Sequence, residues 1–318
     1  MKKTWNGFCI LSLACLLSFS LVATSEAKRQ LTIGTASLGG AYYPVGSGIA
    51  EVVTKHVPDI QMTAEVTGGS VENPRLVGTG QTDVGICNAN HGYAALKGET
   101  PYDRKFDIRA IGALHSSVLH IVTIDGSGIK TLSDLKGKRV AMGPAGGGAA
   151  PMLKAVLSVF GDVKFEDLRP SYISFSDGMT DLKDGNVKAS VVLAGFPAAA
   201  VMELGVTHKV RFLEIPEAKI TEIGKKYPYY SRMTIPASIY KTEKEPVVLV
   251  VRNLLVVSTK LDEETAYKIT KAIYAHLDEL VTYHDSLKHV TLKDAPDVAG
   301  IPLHAGALKF FKEKGLVK

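Results

Sequence analysis

The amino-acid sequence predicts an α/β fold with a mainly parallel sheet, and three observations carry that prediction. Short apolar segments that read as strands alternate with segments whose apolar residues recur at helical spacing. Glycine-rich turns follow the strands and open the helices. The same order occurs twice along the chain, and this alternation is typical of a parallel sheet covered by helices.

The first round of the pattern occupies the segment before residue 90. Its elements are, in order, a strand at 31–35, a turn at 37–43, a helix ended by Pro58, a strand at 60–67, a turn at 68–70, a helix at 71–78 and a strand at 82–87. Pro44 suits the first turn of the first helix because its missing N–H has no partner to lose there.

The second round repeats this plan from residue 139 onward. Its elements are a strand at 139–142, a turn at 143–148, a helix at 149–160, a strand at 172–175, a helix capped by Ser176 or Asp177, a strand at 189–194, a helix to Leu204 and a strand at 210–215. Residues 217–236 are polar and rich in Tyr and Pro, and helices are expected at 263–282 and 304–314.

Two long apolar segments, near residues 118–124 and 247–258, stand at the joints between the rounds. The first, from residue 110, reads as two strands or as one strand that runs between domains. We therefore expect two lobes. Lobe I comprises residues 28–122 and 251–318, lobe II comprises residues 123–250, and a cleft lies between them. Ligands of open parallel sheets bind beyond the carboxyl ends of the strands, where the glycine turns stand.

Residues 1–27 read as a signal peptide. Lys2 and Lys3 are followed by an uncharged run from Phe8 to Val22, and Ser25-Glu26-Ala27 fits a cleavage site after Ala27. A retained anchor is the alternative, although the run of about 15 residues is shorter than the roughly 20 that a span needs. A lipoprotein is a third, because Cys15 lies in a partial lipid-attachment box. Cleavage predicts a periplasmic protein.

The charge and the cysteine content exclude further classes of protein. The formal charge is +5, falls to +4 without Lys2, Lys3 and Glu26, and is mixed in sign along the chain, so no basic patch for nucleic acid is expected. Two of the three cysteines lie in the signal segment, which leaves Cys87 alone and excludes an internal disulfide in the mature chain. Cys87 reads as a small buried hydrophobe at a strand end, with a nucleophile as the alternative.

Three glycine turns are the candidate binding site, at residues 37–43, 68–73 and 143–149. Helix N-termini offer free N–H groups and about half a unit of positive charge, and glycine lets a ligand approach the backbone. Together the turns predict an anion site formed from both lobes. Ordinary tight turns are the alternative. Nucleotide binding fits less well, because the chain has neither G-x-G-x-x-G nor a Walker lysine at these turns.

Catalytic and metal motifs are not evident in the sequence. G-x-S-x-G and H-E-x-x-H do not occur, and Ser133-Asp134-Leu135-Lys136 matches S-x-x-K only on a short polar helix. The histidines are scattered without metal-ligand spacing. His120 is a candidate either for the cleft or for the core. We therefore expect no enzyme, no catalytic residue, no cofactor and no metal.

At these turns the chain resembles the TAXI family, the extracytoplasmic receptors of one branch of TRAP transporters. The matching segments span nearly all of the chain after residue 27. They are Ile33-Gly34-Thr35, Gly39-Gly40-x-Tyr42-Tyr43-Pro44, residues 67–73, residues 134–140, residues 143–146, Leu182-Lys183-Asp184-Gly185, Gly195-x-Pro197, Ile235-Pro236 and Pro302-Leu303-His304-x-Gly306-Ala307.

The resemblance implies a type II periplasmic-binding-protein fold of the Venus-flytrap kind. It implies a small carboxylate or amino acid as ligand (glutamate, glutamine or 2-oxoglutarate), a monomer, and an ion-gradient-driven TRAP permease as membrane partner. A sensor that reports to a membrane signalling protein is the alternative. The contacts it implies are Ser37, Gly39, Gly40, Tyr42, Ser70, Val71 and Asn73 in lobe I, and Gly146, Gly147, Gly148 and Phe196 in lobe II.

The chain departs from the family at two places. Gly146-Gly147-Gly148-Ala149 stands where the family has Gly-Ser-Gly-Thr, so two hydroxyl groups are missing. The lobe I strand ends in Cys87-Asn88-Ala89-Asn90 rather than in larger polar or aromatic residues. Both changes imply an altered specificity, and we expect Asn88 and Asn90 to contact the variable end of the ligand.

Overall fold

One mixed sheet runs through the protein, and the computed structural model describes it over residues 27–318. The strands are β1 (Arg29–Gly34), β2 (Ile60–Glu65), β3 (Val84–Asn88), β4 (Ile108–Ile124), β5 (Arg139–Ala141), β6 (Arg169–Ser171), β7 (Ala189–Ala194), β8 (Val210–Phe212), β9 (Ser231–Thr234) and β10 (Val247–Ser258). Their order is β2-β1-β3-β10-β4-β7-β5-β6, with β8 beside β4 and β9 beside β10.

Helices connect the strands, and three of them, at residues 89–97, 217–226 and 237–240, were not predicted from the sequence. The helices are α1 (Tyr42–His56), α2 (Glu72–Thr79), α3 (Ala89–Lys97), α4 (Ala149–Leu157), α5 (Phe175–Lys183), α6 (Ala199–Thr207), α7 (Glu217–Lys226), α8 (Ala237–Tyr240), α9 (Glu263–Ala275), α10 (Leu277–Leu280) and α11 (Ala305–Glu313). The predicted α/β class and its type II periplasmic-binding architecture are confirmed.

The sheet contains two parallel groups, β2-β1-β3 and β7-β5-β6. The antiparallel pair β4 and β10 lies between them. β10 pairs with β3 near its carboxyl end and with β9 near its start, while β4 pairs with β7 and β8 in its second half. β10 thus borders the first group, β4 borders the second, and the pairing of the two long strands joins the groups into one sheet. The lobe limits at residues 122 and 250 stay a prediction.

β10 shows why these joint strands read as continuous apolar runs. Its residues Val248–Val251 and Leu254–Val257 are all buried, because both faces of the central sheet are covered. A strand with one wet face would alternate apolar and polar residues instead. β10 is therefore a core element of the sheet.

Several boundaries differ from the sequence prediction. α5 is capped by Ser174, whose Oγ accepts from the Asp177 N–H at 3.1 Å, and the strand expected at 172–175 lies at β6 instead. The polar segment 217–236 contains α7 and β9. The single helix expected at 263–282 breaks at His276, which ends α9 and precedes α10.

The predicted signal peptide and its two cysteines lie outside the described residues, apart from Ala27. Among residues 27–318, no helix combines the length and the apolar character that crossing a bilayer requires.

Candidate functional site

A small cavity lies where five helices begin, and we call it the cleft cavity. Residues at or beside the first turns of α1, α2, α3, α4 and α5 line it. Its volume is about 20 Å³, which is room for about one water molecule. The lining residues are Ala36, Gly40, Ala41, Tyr42, Gly68, Gly69, Ser70, Asn88, Pro144, Gly147, Gly148, Phe175 and Leu193.

Four of these helices begin at the cavity with no side-chain cap from any described residue. Their N-cap residues are Ala41, Val71, Asn88 and Gly148, for α1 to α4 respectively. The first N–H groups of a helix have no intrahelical partner and carry a partial positive charge. No charged residue is among those lining the cavity, so the helix N–H groups are the source of positive charge there, and the Glu72 carboxylate next to it accepts from the Gly68 N–H. Such a place favours an anion.

The Gly146 carbonyl lies at the start of α2. It accepts hydrogen bonds from the N–H groups of Val71, at 2.9 Å, and Glu72, at 3.1 Å. Gly146 belongs to the second round and α2 to the first, so these bonds join the two faces of the cavity. The same segments are in contact at Gly68, where an added Cβ would lie 2.9 Å from the Gly146 Cα. The faces are therefore closed on each other.

A buried amide network supports the cavity wall. Asn88 Nδ2 donates to Asn253 Oδ1 at 2.8 Å and to Tyr42 Oη at 3.1 Å, and the Tyr42 hydroxyl donates to Asn253 Oδ1 at 2.8 Å. Asn253 Nδ2 donates to Ser117 Oγ at 2.9 Å. Burial raises the pKa of Tyr42 well above its usual value, so the phenol is neutral and serves as a donor. The Asn88 Oδ1 atom has no partner among the described residues.

Ser70 connects the cavity to the end of β3. Its Oγ accepts from the Asn88 N–H at 2.6 Å and lies 3.1 Å from Nδ1 of His91. Burial lowers the pKa of His91 to about 4, so the ring is neutral near pH 7. The neutral ring has one donor and one acceptor nitrogen, and its Nδ1 is hydrogen-bonded to the Ser70 hydroxyl. Ser70 holds the Asn88 backbone in place at the cavity.

Asn73 and Val71 occupy different positions from those the resemblance implies. The Asn73 side chain is buried and donates to the carbonyls of Gly34, Thr35 and Ile86, while its Oδ1 accepts from Thr67 at 2.7 Å. All of its polar groups are thus engaged in joining β1, β3 and the turn before α2. The Val71 side chain belongs to the apolar core on the other side. Neither side chain lines the cleft cavity.

Four further predicted contacts are not among the residues that line the cavity. Gly39 has φ +91°, and its carbonyl accepts from the Ala200 N–H at 3.1 Å. The Ser37 Oγ and Asn90 Oδ1 atoms are buried without a partner in the described part of the chain. Gly146 contacts α2 through its carbonyl, as described above. The structure therefore brings together Gly40, Tyr42, Ser70, Asn88, Gly147 and Gly148.

Phe196 lines a second cavity of about 100 Å³, which we call the His115 cavity. His115 is 2% exposed, and neither ring nitrogen has a partner within residues 27–318. Its ring packs edge-on against Tyr42, with the ring centroids 6.1 Å apart, so His115 stands beside a residue of the cleft cavity. Burial, together with the nearby His284, lowers the pKa of His115 to about 3. The ring is neutral and offers one donor and one acceptor.

Sequence reasoning missed several residues of the site. Phe175 and Leu193 line the cleft cavity, and Asn253 and Ser117 connect its polar wall to β10 and β4. The polar pair at residues 252 and 253 is the one interruption of the apolar run in β10, and this break was the available signal. The sequence contains no such signal for Phe175, because that residue lies in a segment whose pattern predicts a strand.

Two other predictions concern groups outside both cavities. Cys87 is fully buried in β3, and burial raises the pKa of its thiol to about 12, so the prediction of a small buried hydrophobe is confirmed. His120 is fully buried, its Nδ1 lies 3.0 Å from the Val118 carbonyl, and its Nε2 lies 2.9 Å from the Tyr240 hydroxyl. It is a core histidine, not a cleft residue.

Two solved structures of similar fold belong to a sulfonate-binding protein and to a component of a phosphonate transporter. The alkanesulfonate-binding protein from Xanthomonas axonopodis pv. citri, solved with MOPS, has 17% identity and a TM-score of 0.50 over 92% of this chain and 96% of that one. A binding component of a phosphonate ABC transporter from Pseudomonas aeruginosa has 9% identity and a TM-score of 0.55 over 91% and 96%. At these identities the likeness shows the fold alone.

A curated relative gives a shorter match. A protein described as an aliphatic-sulfonate-binding protein from Escherichia coli K12 is 31% identical over 86 residues, which is 27% of this chain and 26% of that protein. The chain thus matches about a quarter of the length of this relative. The relatives are binding proteins of transporters, not enzymes.

The fold is that of the type II periplasmic-binding-protein class. Residues 33–315 match the NMT1-like family, and the chain belongs to that family.

Proposed function

We propose that the protein captures a small organic anion in the cleft and delivers it to a membrane permease. One observation carries the proposal: five helices begin around one cavity, and no charged residue is among those that line it. A carboxylate, sulfonate or phosphonate head group would accept hydrogen bonds from the helix starts. Charge-assisted bonds of this kind are about twice as strong as neutral ones.

The size of the cleft cavity bears on the mechanism of capture. At about 20 Å³, it cannot hold an acid with several heavy atoms, so the two faces must part before the ligand enters. The Val71–Gly146 and Glu72–Gly146 bonds would break in that opening, and ligand oxygens would replace the carbonyl at the start of α2. The crossing strands β4 and β10 are the natural hinge, and closure around the ligand follows.

The ligand class and the membrane partner rest on resemblance. The TAXI resemblance favours glutamate, glutamine or 2-oxoglutarate and a TRAP permease, whereas the relatives named above bind sulfonates or phosphonates, and one of them serves an ABC transporter. All of these ligands share an oxyanion head, which is the group that the helix starts fit. Export to the periplasm is part of the same proposal.

A thermal-shift screen tests the proposal. The protein is first unfolded in denaturant, dialysed and refolded, so that any bound ligand is removed. It is then heated with carboxylates, amino acids, sulfonates and phosphonates. A ligand at about a thousand times its Kd should stabilise the fold by roughly 4 kcal/mol. A large shift for one class supports the proposal, and no shift from any member of the panel would overturn it.

A further inference from the structure

Two histidines and one glutamate meet on the helical side of the protein, outside both cavities. His56 Nε2 lies 2.7 Å from Glu279 Oε1, and His276 Nδ1 lies 3.3 Å from the same oxygen. The two imidazole rings are stacked, with centroids 3.5 Å apart and planes within 10°. We propose that His56, His276 and Glu279 bind a divalent transition-metal ion, with Zn²⁺ as the best fit.

The chain brings the three residues together from separate elements. His56 is the last residue of α1. His276 interrupts the long C-terminal helix and stands between α9 and α10. Glu279 lies in α10, one turn after His276. The break at His276 has no proline or glycine to explain it, and it places His276 and Glu279 on the side that meets α1.

The donor set suits zinc. Two imidazole nitrogens and one carboxylate oxygen with an open fourth position are a common zinc arrangement. Bonds of about 2.0–2.1 Å at tetrahedral angles separate neighbouring ligand atoms by roughly 3.3–3.5 Å. The three ligand atoms all lie within 4.8 Å of one another, so movements of about an ångström suffice.

The rings must turn to receive the ion. In the stacked arrangement the nitrogen lone pairs lie in parallel planes, so an ion between them would sit out of both planes. Rotation about the χ2 torsions, which are soft for histidine, would direct both lone pairs to one point. The side chains have the freedom to turn, because about a quarter to a third of each is exposed: 23% for His56, 33% for His276 and 30% for Glu279.

Lys55 supplies a sharp test, because it competes for the same carboxylate. Its Nζ lies 2.7 Å from Glu279 Oε2, the oxygen that does not face the histidines. A cation on Oε2 reduces the charge available to an ion on Oε1. A metal site therefore predicts that removing the Lys55 charge tightens metal binding, whereas a cluster held together only by ion pairs predicts no such gain.

The experiment titrates the full chain with Zn²⁺ alone, by calorimetry and by thermal melting. The expected result is one ion per chain and a higher melting temperature. His56→Asn, His276→Asn and Glu279→Gln should each weaken binding by about tenfold or more, the loss seen even when a supporting partner of a ligand is removed. Lys55→Gln should tighten it.

His208→Asn is the matched control, because His208 is a partly exposed histidine whose ring is hydrogen-bonded only to Thr207 among the described residues. It should bind zinc like the unaltered protein. Circular dichroism verifies that each variant is folded. The proposal is overturned if the unaltered chain shows no saturable binding, or if folded variants of the three ligands bind zinc as well as it does.

Discussion

The Gly146 carbonyl oxygen lies 2.9 Å from the Val71 nitrogen and closes the start of α2 from across the cleft. A protein group thus occupies the place where an oxyanion would be bound most strongly. A carbonyl is a neutral acceptor, and an anion at the same N–H groups makes shorter and stronger bonds. The structure therefore describes a closed form whose cleft contact is replaceable, and four predictions test its parts.

Gly148→Ala should weaken ligand binding. The α-helical backbone at Gly148 accepts alanine, but the added Cβ would collide with Asn88 Oδ1 and lie 3.0 Å from Leu193 Cδ2. Overpacking of this kind costs about 1–3 kcal/mol, which is roughly five- to 150-fold in affinity. Calorimetry with the best acid from the screen measures the loss.

Gly161→Ala is the control for that prediction. Gly161 is exposed, and an added Cβ has no described atom within 4 Å. Its affinity should be unchanged. If the Gly148→Ala variant binds the ligand as tightly as the unaltered protein does, the ligand does not bind at this face of the cavity.

Ser70→Ala should also weaken binding, through Asn88. The substitution leaves the Asn88 N–H and His91 Nδ1 without their shared partner, at a cost of about 1–3 kcal/mol for each buried unpaired group. The Asn88 side chain would lose its fixed position at the cavity. Ser158→Ala, on the surface at the end of α4, should bind normally. Unchanged affinity in Ser70→Ala would remove Ser70 from the site.

Asn73→Ala should lower stability rather than affinity measured on folded protein. The substitution leaves the carbonyls of Gly34 and Ile86 without their side-chain donor, while the Thr35 carbonyl keeps Thr67 Oγ1 at 3.0 Å. Each buried acceptor that stays unpaired costs about 1–3 kcal/mol. Urea unfolding measures the free energy, and Asn186→Ala at an exposed position should change it by less than about 0.5 kcal/mol. A loss of affinity at full stability would instead make Asn73 a ligand contact.

Stability should fall as the pH drops from about 7 toward 4. The pKa values of His91 and His120 are lowered to about 4 and that of His115 to about 3, all by burial. The unfolded chain binds protons at these rings below about pH 6.5, while the folded chain does not. Each ring therefore makes the unfolding free energy rise with pH, by at most about 1.4 kcal/mol per unit in this window.

His115→Gln measures how much one ring contributes to the pH dependence of the unfolding free energy. Urea unfolding at a series of pH values should give a shallower pH dependence for this variant than for the unaltered chain, whatever its absolute stability. His208→Gln, at the surface, should leave the dependence as it was. Identical slopes for all three proteins would show that His115 is protonated in the folded state.

The sequence predicts the frame of the fold because its signals are local. β7 lies where the apolar run 189–194 places it, and β10 coincides with the run 247–258. The glycine turns predict where the helices start, and hence the cleft cavity. His276 is different: it continues a helical pattern in the sequence, yet α9 ends there and α10 begins after it.

The roles of individual side chains were less predictable, because they depend on partners distant in sequence. Asn73 lies in a motif that resembles a ligand contact, yet its amide finds three backbone carbonyls from two strands. Phe196 follows the end of a strand as expected, but it lines the His115 cavity and not the cleft cavity. Spacing along the chain cannot distinguish a donor that meets a ligand from one that meets the backbone.

The pairing of β10 with β3 also limits the order in which the chain can fold during synthesis. The first parallel group ends with β3 at Asn88, but the strand beside it begins only at Val247. A ribosome must synthesise the whole second group before the first can complete its sheet. A nascent chain of this design leaves one edge of β3 without its neighbouring strand until nearly all of the chain has been made.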